Sequence, residues 1–392
     1  MSKEKRRVPK LRFPGFTEDW EQRKADYIFK SITDKGYPEL PVLSASQELG
    51  MVYRDQNGID IQHDKKNETS YKRVLPGQFV IHLRSFQGGF AYSEVEGITS
   101  PAYTVMSFKN SSEQYGLFWK HVFKSERFIK RLETITYGIR DGRSISFSDF
   151  KSLILQYPSF SEQKLIGDSI AVLEKGITLH QRKLDNLKLK KKALLQKLFP
   201  KNGERYPELR FPEFTDAWEQ RKLSDITEIV MGQSPSSKNY TDNPNDNILV
   251  QGNADLKDGK VVPRLWTKEI TKTIDKDGII LTVRAPVGDV ARTDYKVVLG
   301  RGVAGIKGND YIYQFLQKLQ NNRYWVSLSS GSTFESINSN DIKDLIIDIP
   351  SIEEQTKISM LLNNVNSIIT LHQRKLDHLQ LQKKALLQQM FV

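Results

Sequence analysis

The chain has 392 residues, enough for two or three domains that each bury a core. Its formal net charge of +12 favours a polyanionic partner, and its lack of cysteine excludes disulfides, thiolate metal sites and cysteine nucleophiles. The basic start, MSKEKRRVPKLRF, has no apolar run after it, and no segment reaches the ~20 apolar residues of a membrane span. We therefore expect a soluble, cytoplasmic protein with no membrane partner.

Two segments of the chain occur twice. Residues 177–200, ITLHQRKLDNLKLKKKALLQKLFP, return as residues 369–392, ITLHQRKLDHLQLQKKALLQQMFV, with 18 of 24 positions identical. Residues 9–24, PKLRFPGFTEDWEQRK, return as residues 207–222, PELRFPEFTDAWEQRK, with 12 of 16 identical. The second pair combines aromatic and charged residues, and we predict that it packs as an apolar clip on its own domain or on a long helix. Two unlike inserts separate these shared ends, so the sequence predicts a duplicated frame.

The first insert, residues 25–158, mixes strand and helix signals. Strand-like runs at residues 79–84 and 102–108 alternate with Pro-Gly, Gly-Gly and Asp-Gly turns, and a helical stretch follows at about residues 115–132. The second insert, residues 223–350, has similar short runs, such as residues 279–284. Faint matches at a spacing of 192 residues, including Asp149 and Asp341, suggest one fold used twice. We therefore predict an α+β protein with two similar α/β domains.

Each insert leads into a long helix. Ser159 with Glu162, and Ser351 with Glu354, form the S-x-x-E pattern of a capping box. With Lys191 and Lys383 included, the following residues keep an unbroken 4-3 spacing, which is typical of a coiled-coil seam. The predicted seam residues are Ile166, Ile170, Leu173, Ile177, His180, Leu184, Leu187, Leu194 and Leu198 in the first helix, and Ile358, Leu362, Val365, Ile369, His372, Leu376, Leu379, Leu386 and Met390 in the second.

The seam lysines favour antiparallel pairing of the two helices. In a parallel pair Lys191 would face Lys383, whereas in an antiparallel pair Lys191 faces Val365 and Lys383 faces Leu173. Two core helices of separate bundles remain an alternative. The predicted organisation is a domain at 1–158, a helix at 159–200, a domain at 201–350 and a helix at 351–392, related by a pseudo-two-fold repeat.

Taken together, these features resemble the specificity subunit of type I restriction-modification enzymes. The resemblance rests on the repeated helix end LHQRKLDxLxLxKKALLQ and on GITSPAY (97–103), MGQSPSSKNY (231–240), VQGNADLKDGK (250–260) and VRAPVGDV (283–290). It implies that each variable half is a target recognition domain that reads one part of a split, asymmetric DNA sequence. The helices would set the unread gap and dock the methyltransferase subunits.

The same resemblance implies a chain without catalysis and without a cofactor of its own. It would recruit two modification subunits, which methylate adenine with S-adenosylmethionine, and two restriction subunits, which use ATP and magnesium to move and cleave DNA. The residues agree, because no Walker A sequence and no glycine fingerprint between a strand and a helix is present. His180 and His372 have no neighbouring ligands in the sequence, so we predict no metal site. A structural scaffold that binds proteins and a stand-alone DNA-cleaving enzyme remain the alternatives.

Candidate DNA-contacting residues are chosen by chemistry, because Arg and Lys pair with guanine, Asn and Gln pair with adenine, and cations bind phosphate. They lie at turns and strand ends, and for any single one a solvated surface role is at least as common. The candidates are Lys72, Arg73, Arg84, Ser85, Gln87, Arg140 and Arg143 in the first half, and Ser234, Lys238, Gln251, Asn253, Arg284, Arg292 and Arg301 in the second.

Overall fold

The computed structural model describes residues 8–46, 49–54, 65–82, 89–133, 145–201, 203–329 and 336–391. The chain divides into a first unit, Met1–His180 with Lys375–Val392, and a second unit, Gln181–Arg374. Two long helices, α5 (Phe160–Lys197) and α10 (Ile352–Gln389), each contribute residues to both units. Each unit thus combines a globular part with portions of both helices, a different division from the four consecutive segments that the sequence predicts.

In the first unit, short antiparallel strands surround an aromatic core. Its strands are β1 (Glu21–Lys24), β2 (Phe29–Ile32), β3 (Leu43–Ser46), β4 (Gly50–Tyr53), β5 (Lys72–Val74), β6 (Phe79–Ile81), β7 (Phe90–Tyr92), β8 (Gly97–Thr99), β9 (Thr104–Phe108) and β10 (Ile154–Tyr157). They form a four-stranded sheet, β2-β9-β6-β7, and the pairs β1-β10, β3-β4 and β5-β8. Its short helices are α1 (Ala25–Ile28), α2 (Gly116–Val122), α3 (Glu126–Glu133) and α4 (Phe147–Ser152). The predicted helix at 115–132 is therefore two helices, since the chain turns between α2 and α3.

Larger sheets make up the second unit. Its helices are α6 (Leu223–Ile226), α7 (Asp310–Asn321), α8 (Tyr324–Ser329) and α9 (Ser339–Lys343). Its strands are β11 (Glu219–Lys222), β12 (Ile229–Met231), β13 (Tyr240–Thr241), β14 (Asn247–Val250), β15 (Leu256–Lys257), β16 (Lys260–Val261), β17 (Trp266–Thr267), β18 (Thr273–Ile274), β19 (Ile279–Thr282), β20 (Val290–Arg292), β21 (Val297–Leu299), β22 (Val303–Ile306) and β23 (Ile346–Ile349). The sheet orders are β12-β22-β19-β20-β16-β15, β13-β17-β14-β21-β18 and β11-β23.

The cores of the two units differ in composition. The Phe29 ring lies within 6.2 Å, centroid to centroid, of each of five other aromatic rings in the first unit. In the second unit the sheet core is mainly aliphatic and includes Ile279, Leu281, Ala304 and Ile306, each fully buried. Aromatic edge-to-face packing and aliphatic packing both remove apolar surface from water, so unlike sequences can fill similar frames.

The same strand pair nevertheless joins the beginning and the end of the globular part in both units. β1 pairs antiparallel with β10, with Glu21 opposite Tyr157, and β11 pairs antiparallel with β23, with Glu219 opposite Ile349. A one-turn helix follows the first strand of each pair. A capped helix, α4 or α9, precedes the second strand of each pair. The duplicated segments of the sequence thus build the same local structure twice.

The PxLRFP segment of each copy binds the start of one long helix and the end of the other. In the first unit the Leu11 N–H donates to the Gln389 carbonyl near the end of α10, at 3.0 Å. Arg12 holds the Glu162 carboxylate near the start of α5 through two hydrogen bonds of 2.7 and 2.8 Å. Because both carboxylate oxygens bind Arg12, the prediction that the Glu162 side chain completes a capping box is wrong. The segment is a clip between two helix ends, as its aromatic and charged pattern predicts.

The second unit repeats the clip. The Leu209 N–H donates to the Lys197 carbonyl at 2.8 Å, and Arg210 holds Glu354 through two bonds of 2.8 Å each. Here the Ser351 hydroxyl accepts a 3.3 Å hydrogen bond from the Glu354 N–H, so the serine half of the predicted capping box is present. Both Glu162 and Glu354 are 1% exposed, so each would be costly to leave unpaired.

Candidate nucleic-acid interface

Three loops of the second unit meet at one place, and we call residues 232–240, 250–253 and 299–303 the loop cluster. The Gly232 N–H donates to the Val303 carbonyl at 3.0 Å, and the Gly300 N–H donates to the Val250 carbonyl at 2.8 Å. A Cβ on Gly302 would collide with the Gln251 carbonyl oxygen, so only glycine allows the loops to approach this closely. The sequences MGQSPSSKNY and VQGNADLKDGK, which carry part of the family resemblance, both contribute to this cluster.

Two predicted candidates hold the loop cluster together. The Ser234 hydroxyl accepts a 3.0 Å hydrogen bond from the Arg301 N–H, and the Gln251 amide donates to the Tyr240 hydroxyl at 2.8 Å. The Glu269 carboxylate accepts hydrogen bonds from the Asn239 amide at 2.7 Å and from the Ser236 N–H at 2.8 Å, and these bonds lower the pKa of Glu269. The cluster is therefore an ordered surface built by side-chain hydrogen bonds.

Exposed cations lie in and beside the loop cluster. Lys238 and Arg301 belong to its loops. The Lys268 N–H donates to the Asn239 carbonyl at 3.0 Å, and the Lys272 carbonyl accepts from the Leu299 N–H at 2.7 Å. All four side chains are exposed, and within the described ranges none of them has a carboxylate partner. Lys268 and Lys272 are not among the predicted candidates, because only the fold brings residues 268–272 beside the other loops.

The other predicted DNA-contacting residues of the second half differ in exposure and in whether they are already paired within the unit. Arg284 is exposed next to the loop cluster, since the preceding residue, Val283, donates its N–H to the Gly302 carbonyl at 2.9 Å. Asn253 donates its amide to the Asp289 carboxylate. Arg292 forms a 3.0 Å ion pair with Asp310 and is only 17% exposed, so its guanidinium is used within the unit.

Among the first-half candidates, Lys72 and Arg73 lie on β5 and are both engaged. The Lys72 ammonium donates to the Tyr103 carbonyl at 2.6 Å, and burial, with the nearby charge of Lys35, lowers the pKa of Lys72. Arg73 donates to Glu96 at 2.8 Å and lies over the Tyr37 ring at 4.5 Å. The remaining first-half candidates lie outside the described residues; they are Arg84, Ser85, Gln87, Arg140 and Arg143.

Every predicted seam residue is buried or half-buried, and all lie in α5 or α10 except Leu198 and Met390, which directly follow the two helices. In the first unit Ile166 and Ile170 share a core with Met390, and a Cβ on Gly176 would lie 3.6 Å from Leu379. Later residues of α5 thus lie beside earlier residues of α10, which shows that the two helices pack antiparallel. In the second unit, correspondingly, Leu195 and Leu198 near the end of α5 share a core with Ile358 and Leu362 near the start of α10.

The two seam lysines have different surroundings. In the first unit Lys383 forms a 2.7 Å ion pair with Glu174, which Lys120 also approaches at 3.4 Å. Burial by itself would raise the pKa of Glu174, but the hydrogen bond from Lys383 and the charges of Lys120 and Lys383 bring it down to about 2. Burial lowers the pKa of His121 to about 3, so this imidazole is neutral.

In the second unit Lys191 occupies the equivalent seam position. Asn366 stands where the repeat would place a second Glu174, because 174 and 366 differ by the same 192 residues as 191 and 383. Burial lowers the pKa of Lys191 to about 8, and no carboxylate pairs with it within the described ranges. The charge of the seam lysine is therefore neutralised by a carboxylate in the first unit and, among the described residues, not neutralised in the second.

Neither a membrane helix nor a metal cluster is found in the part of the chain that the structure describes. No helix there is both long and apolar enough to cross a bilayer. No group of three or more potential His, Asp or Glu ligands comes together there.

Comparison with known proteins gives consistent matches along the chain. Residues 18–189 and 215–381 match the family described as the type I restriction modification DNA specificity domain. A Methanocaldococcus jannaschii protein named as the type I restriction enzyme MjaX specificity subunit is 27% identical over 94% of this chain and 92% of its own length. The MjaIX specificity subunit of the same organism is 28% identical over 39% of this chain and 38% of its own length.

Solved structures share the fold. The type I restriction-modification S subunit from M. genitalium superposes with a TM-score of 0.65 at 14% identity, covering 98% of this chain and 99% of that one. A chain from a study of complex assembly and conformational transition in a type I system gives a TM-score of 0.56 at 20% identity, covering 97% and 98%.

Proposed function

Because the chain belongs to the type I restriction-modification DNA specificity family, we propose that its two units each read one part of a divided, asymmetric DNA sequence. The chain is a DNA specificity subunit, a non-catalytic part of a type I restriction enzyme. The predicted α+β fold class and the predicted family are thereby confirmed.

One observation carries the proposal for two different half-sites. The clip, the first strand of the pair and the C-terminal part of the long helix are built twice from nearly the same residues, whereas the inserts they hold differ in sheet order and in core composition. A duplicated frame that carries two identical readers would recognise two identical half-sites. Two unlike readers on that frame would recognise two unlike half-sites, and this is the asymmetry we propose.

In the second unit, the proposed contact surface is the loop cluster with its exposed cations. Lys238, Lys268, Lys272 and Arg301 would neutralise phosphates and position the unit, because phosphate contacts supply affinity without reading sequence. Arg284, exposed beside the cluster, has the fork of donors that pairs with guanine in the major groove. Arg292 is left out of the surface because Asp310 neutralises it.

We further propose that the helices set the unread gap between the two half-sites. Each helix has 38 residues and is therefore about 57 Å long at ~1.5 Å per residue. The S-adenosylmethionine, ATP and magnesium of the reaction would reside on partner modification and restriction subunits, two of each. The cytoplasmic location stays a prediction.

A salt titration of DNA binding tests the proposed surface. The double variant Lys238→Glu, Lys272→Glu would be compared with the wild-type chain and with Lys343→Glu, an exposed lysine on α9 outside the loop cluster. Each variant would be assembled with its modification partner, and affinity for target duplex would be measured from 50 to 200 mM salt. Loss of two phosphate contacts should make the negative slope of log K against log salt shallower by about 2, since each contact contributes about −0.9 to it.

Two outcomes of the titration would count against the proposed surface. An unchanged slope in the double variant would show that these lysines do not meet phosphate. An equal loss in Lys343→Glu would show a general charge effect and no localised interface. Absence of salt-dependent binding to duplex in every protein would favour the structural scaffold instead.

A further inference from the structure

A basic groove lies in the first unit beside the last turns of α10. It has a volume of about 820 Å³. One wall is residues 8–10, another is residues 124–130 at the start of α3, and the third is the stretch 380–391. All of these walls belong to the first unit, and none of them belongs to the loop cluster proposed to contact DNA.

The charged side chains that line the groove are predominantly positive. Six cations and one carboxylate, Glu126, line it; the cations are Lys10, Lys124, Arg127, Lys130, Lys383 and Lys384. Lys383 is already paired with Glu174. In the part of the chain that the structure describes, no carboxylate forms an ion pair with Lys10, Arg127, Lys130 or Lys384. The groove therefore presents positive charge that its own unit does not neutralise.

Its floor is apolar. Leu387 and Phe391 line it, and the Phe391 ring packs on the Phe118 ring with centroids 5.6 Å apart. A small recess opens from the floor and shares Phe391 with it. Two buried polar atoms of the recess lack a hydrogen-bond partner among the described residues: Nε1 of Trp20, which is 2% exposed, and Oε1 of Gln156. The floor thus offers apolar contact, and the two unpaired polar atoms lie buried beneath it.

The corresponding positions of the second unit are satisfied internally. Glu208 replaces Lys10 of the repeat and forms a 2.7 Å ion pair with Lys197. Trp218, the counterpart of Trp20, donates to Glu354 at 3.1 Å. Asp348, the counterpart of Gln156, accepts a 3.0 Å hydrogen bond from Gln220. The same frame can therefore pair these groups within the unit, whereas among the described residues of the first unit Lys10 has no ion pair and the Trp20 and Gln156 atoms have no hydrogen-bond partner.

We infer that this groove binds an acidic segment of a partner protein that also carries a large apolar side chain. Carboxylates would pair with the unneutralised cations, and the apolar side chain would cover Leu387 and Phe391. Duplex DNA fits less well, because the outer surface of a duplex offers phosphates and sugars. It would leave the apolar floor without a partner. The inference rests on the groove alone and is independent of DNA reading by the loop cluster.

Fluorescence anisotropy with a defined peptide tests this inference. The probe is a labelled 16-residue helical peptide with glutamate on one face and leucine on the other. One control peptide has lysine for each glutamate, and a second has alanine for each leucine. The full chain would be compared with the double variant Lys130→Glu, Lys384→Glu, and with Lys375→Glu, an exposed lysine on the same helix outside the groove.

The expected result is binding of the acidic amphipathic peptide that weakens at least tenfold in the double variant and stays unchanged in Lys375→Glu. Loss of the leucines should also weaken binding, and the lysine peptide should not bind. The inference is overturned if the acidic peptide does not bind, or if it binds the double variant equally well. Unlabelled duplex would also be added as a competitor, at a phosphate concentration equal to the carboxylate concentration of the peptide. Displacement of the peptide by this duplex would assign the groove to nucleic acid instead. None of these results alters the salt slope of the loop-cluster variants, so the two proposals fail separately.

Discussion

Replacement of Glu354 by glutamine should loosen the second unit at the start of α10. The carboxylate accepts two hydrogen bonds of 2.8 Å each from Arg210 and one of 3.1 Å from the Trp218 indole. The Arg210 side chain is 14% exposed and that of Glu354 is 2% exposed. Loss of the negative charge therefore leaves a mostly buried guanidinium without its counter-ion.

The size of the effect follows from these contacts. Removal of one partner of a buried ion pair costs about 3–5 kcal/mol, and the amide oxygen of glutamine retains part of the interaction, so we expect about 3 kcal/mol. Glu162→Gln is the matched comparison, because Arg12 holds Glu162 with the same geometry. Among the described residues no indole donates to Glu162, so its replacement should cost about 1 kcal/mol less.

Hydrogen exchange with mass spectrometry can measure both changes separately. Amides of the first turns of α10 report on Glu354, and amides of the first turns of α5 report on Glu162. Glu353→Gln, an exposed carboxylate in the same turn as Glu354, serves as the control and should change the opening free energy by less than ~0.5 kcal/mol. The reasoning is refuted if Glu354→Gln changes exchange no more than this control. An equal cost at Glu162 and Glu354 would remove the contribution assigned to the Trp218 hydrogen bond.

Three further predictions concern the seam. Lys191→Met should stabilise the second unit by about 1–2 kcal/mol at pH 7, since the fall in the lysine pKa from 10.5 to about 8 sets an upper limit of ~3 kcal/mol. The stability difference between the variant and the wild-type chain, measured by thermal unfolding, should shrink as the pH rises from 8 towards 10.5, because Lys191 is then uncharged in the folded state. A difference that stays constant over this range would contradict the burial argument. Glu174→Gln should destabilise the first unit by about 1–3 kcal/mol at pH 7, where the folded carboxylate, with a pKa of about 2, is charged. The loss should diminish as the pH falls from 4.5 to 2, and a loss that persists at pH 2 would exclude the ion pair as its cause. Insertion of one heptad into both helices should widen the unread gap by about three base pairs, since seven residues add ~10 Å; the mapped half-site spacing checks this, and an unchanged spacing contradicts it.

The long helices show how far an apolar pattern can predict structure. A 4-3 spacing identifies the buried face of a helix wherever the partner helix has the same period, and all the predicted seam positions lie on that face. The pattern does not predict that the Lys383 ammonium reaches the carboxylate of Glu174, next to the leucine it was predicted to face. A long lysine stem can leave an apolar seam to place its charge near an acid or water.

The clip shows a limit of another kind. Arg12 and Glu162 are 150 residues apart, and a local pattern, the capping box, already accounts for the glutamate. A signal was present, because arginine and glutamate recur together as Arg210 and Glu354. Repetition shows that a residue pair is shared by two copies, but not which distant side chain each member meets.

The DNA candidates show why site residues are harder to predict than the fold. Arginine at a strand end can point to solvent or to a carboxylate brought in from a distant element. Arg73 meets Glu96, and Arg292 meets Asp310, whereas Arg284 and Arg301 stay exposed. Charge neutralisation depends on the tertiary fold, so residue type and turn context alone cannot separate these cases.

Methylation mapping of a chimera tests the central claim most directly. Residues 223–350 would be replaced by the matching insert of another family member, and methylated adenines would be mapped in cells that carry the chimera with its modification partner. Two independent readers on one frame predict a new sequence in one half-site, with the other half-site and the gap unchanged. A change in both half-sites, or in neither, would contradict the claim that each unit reads its own part of the target.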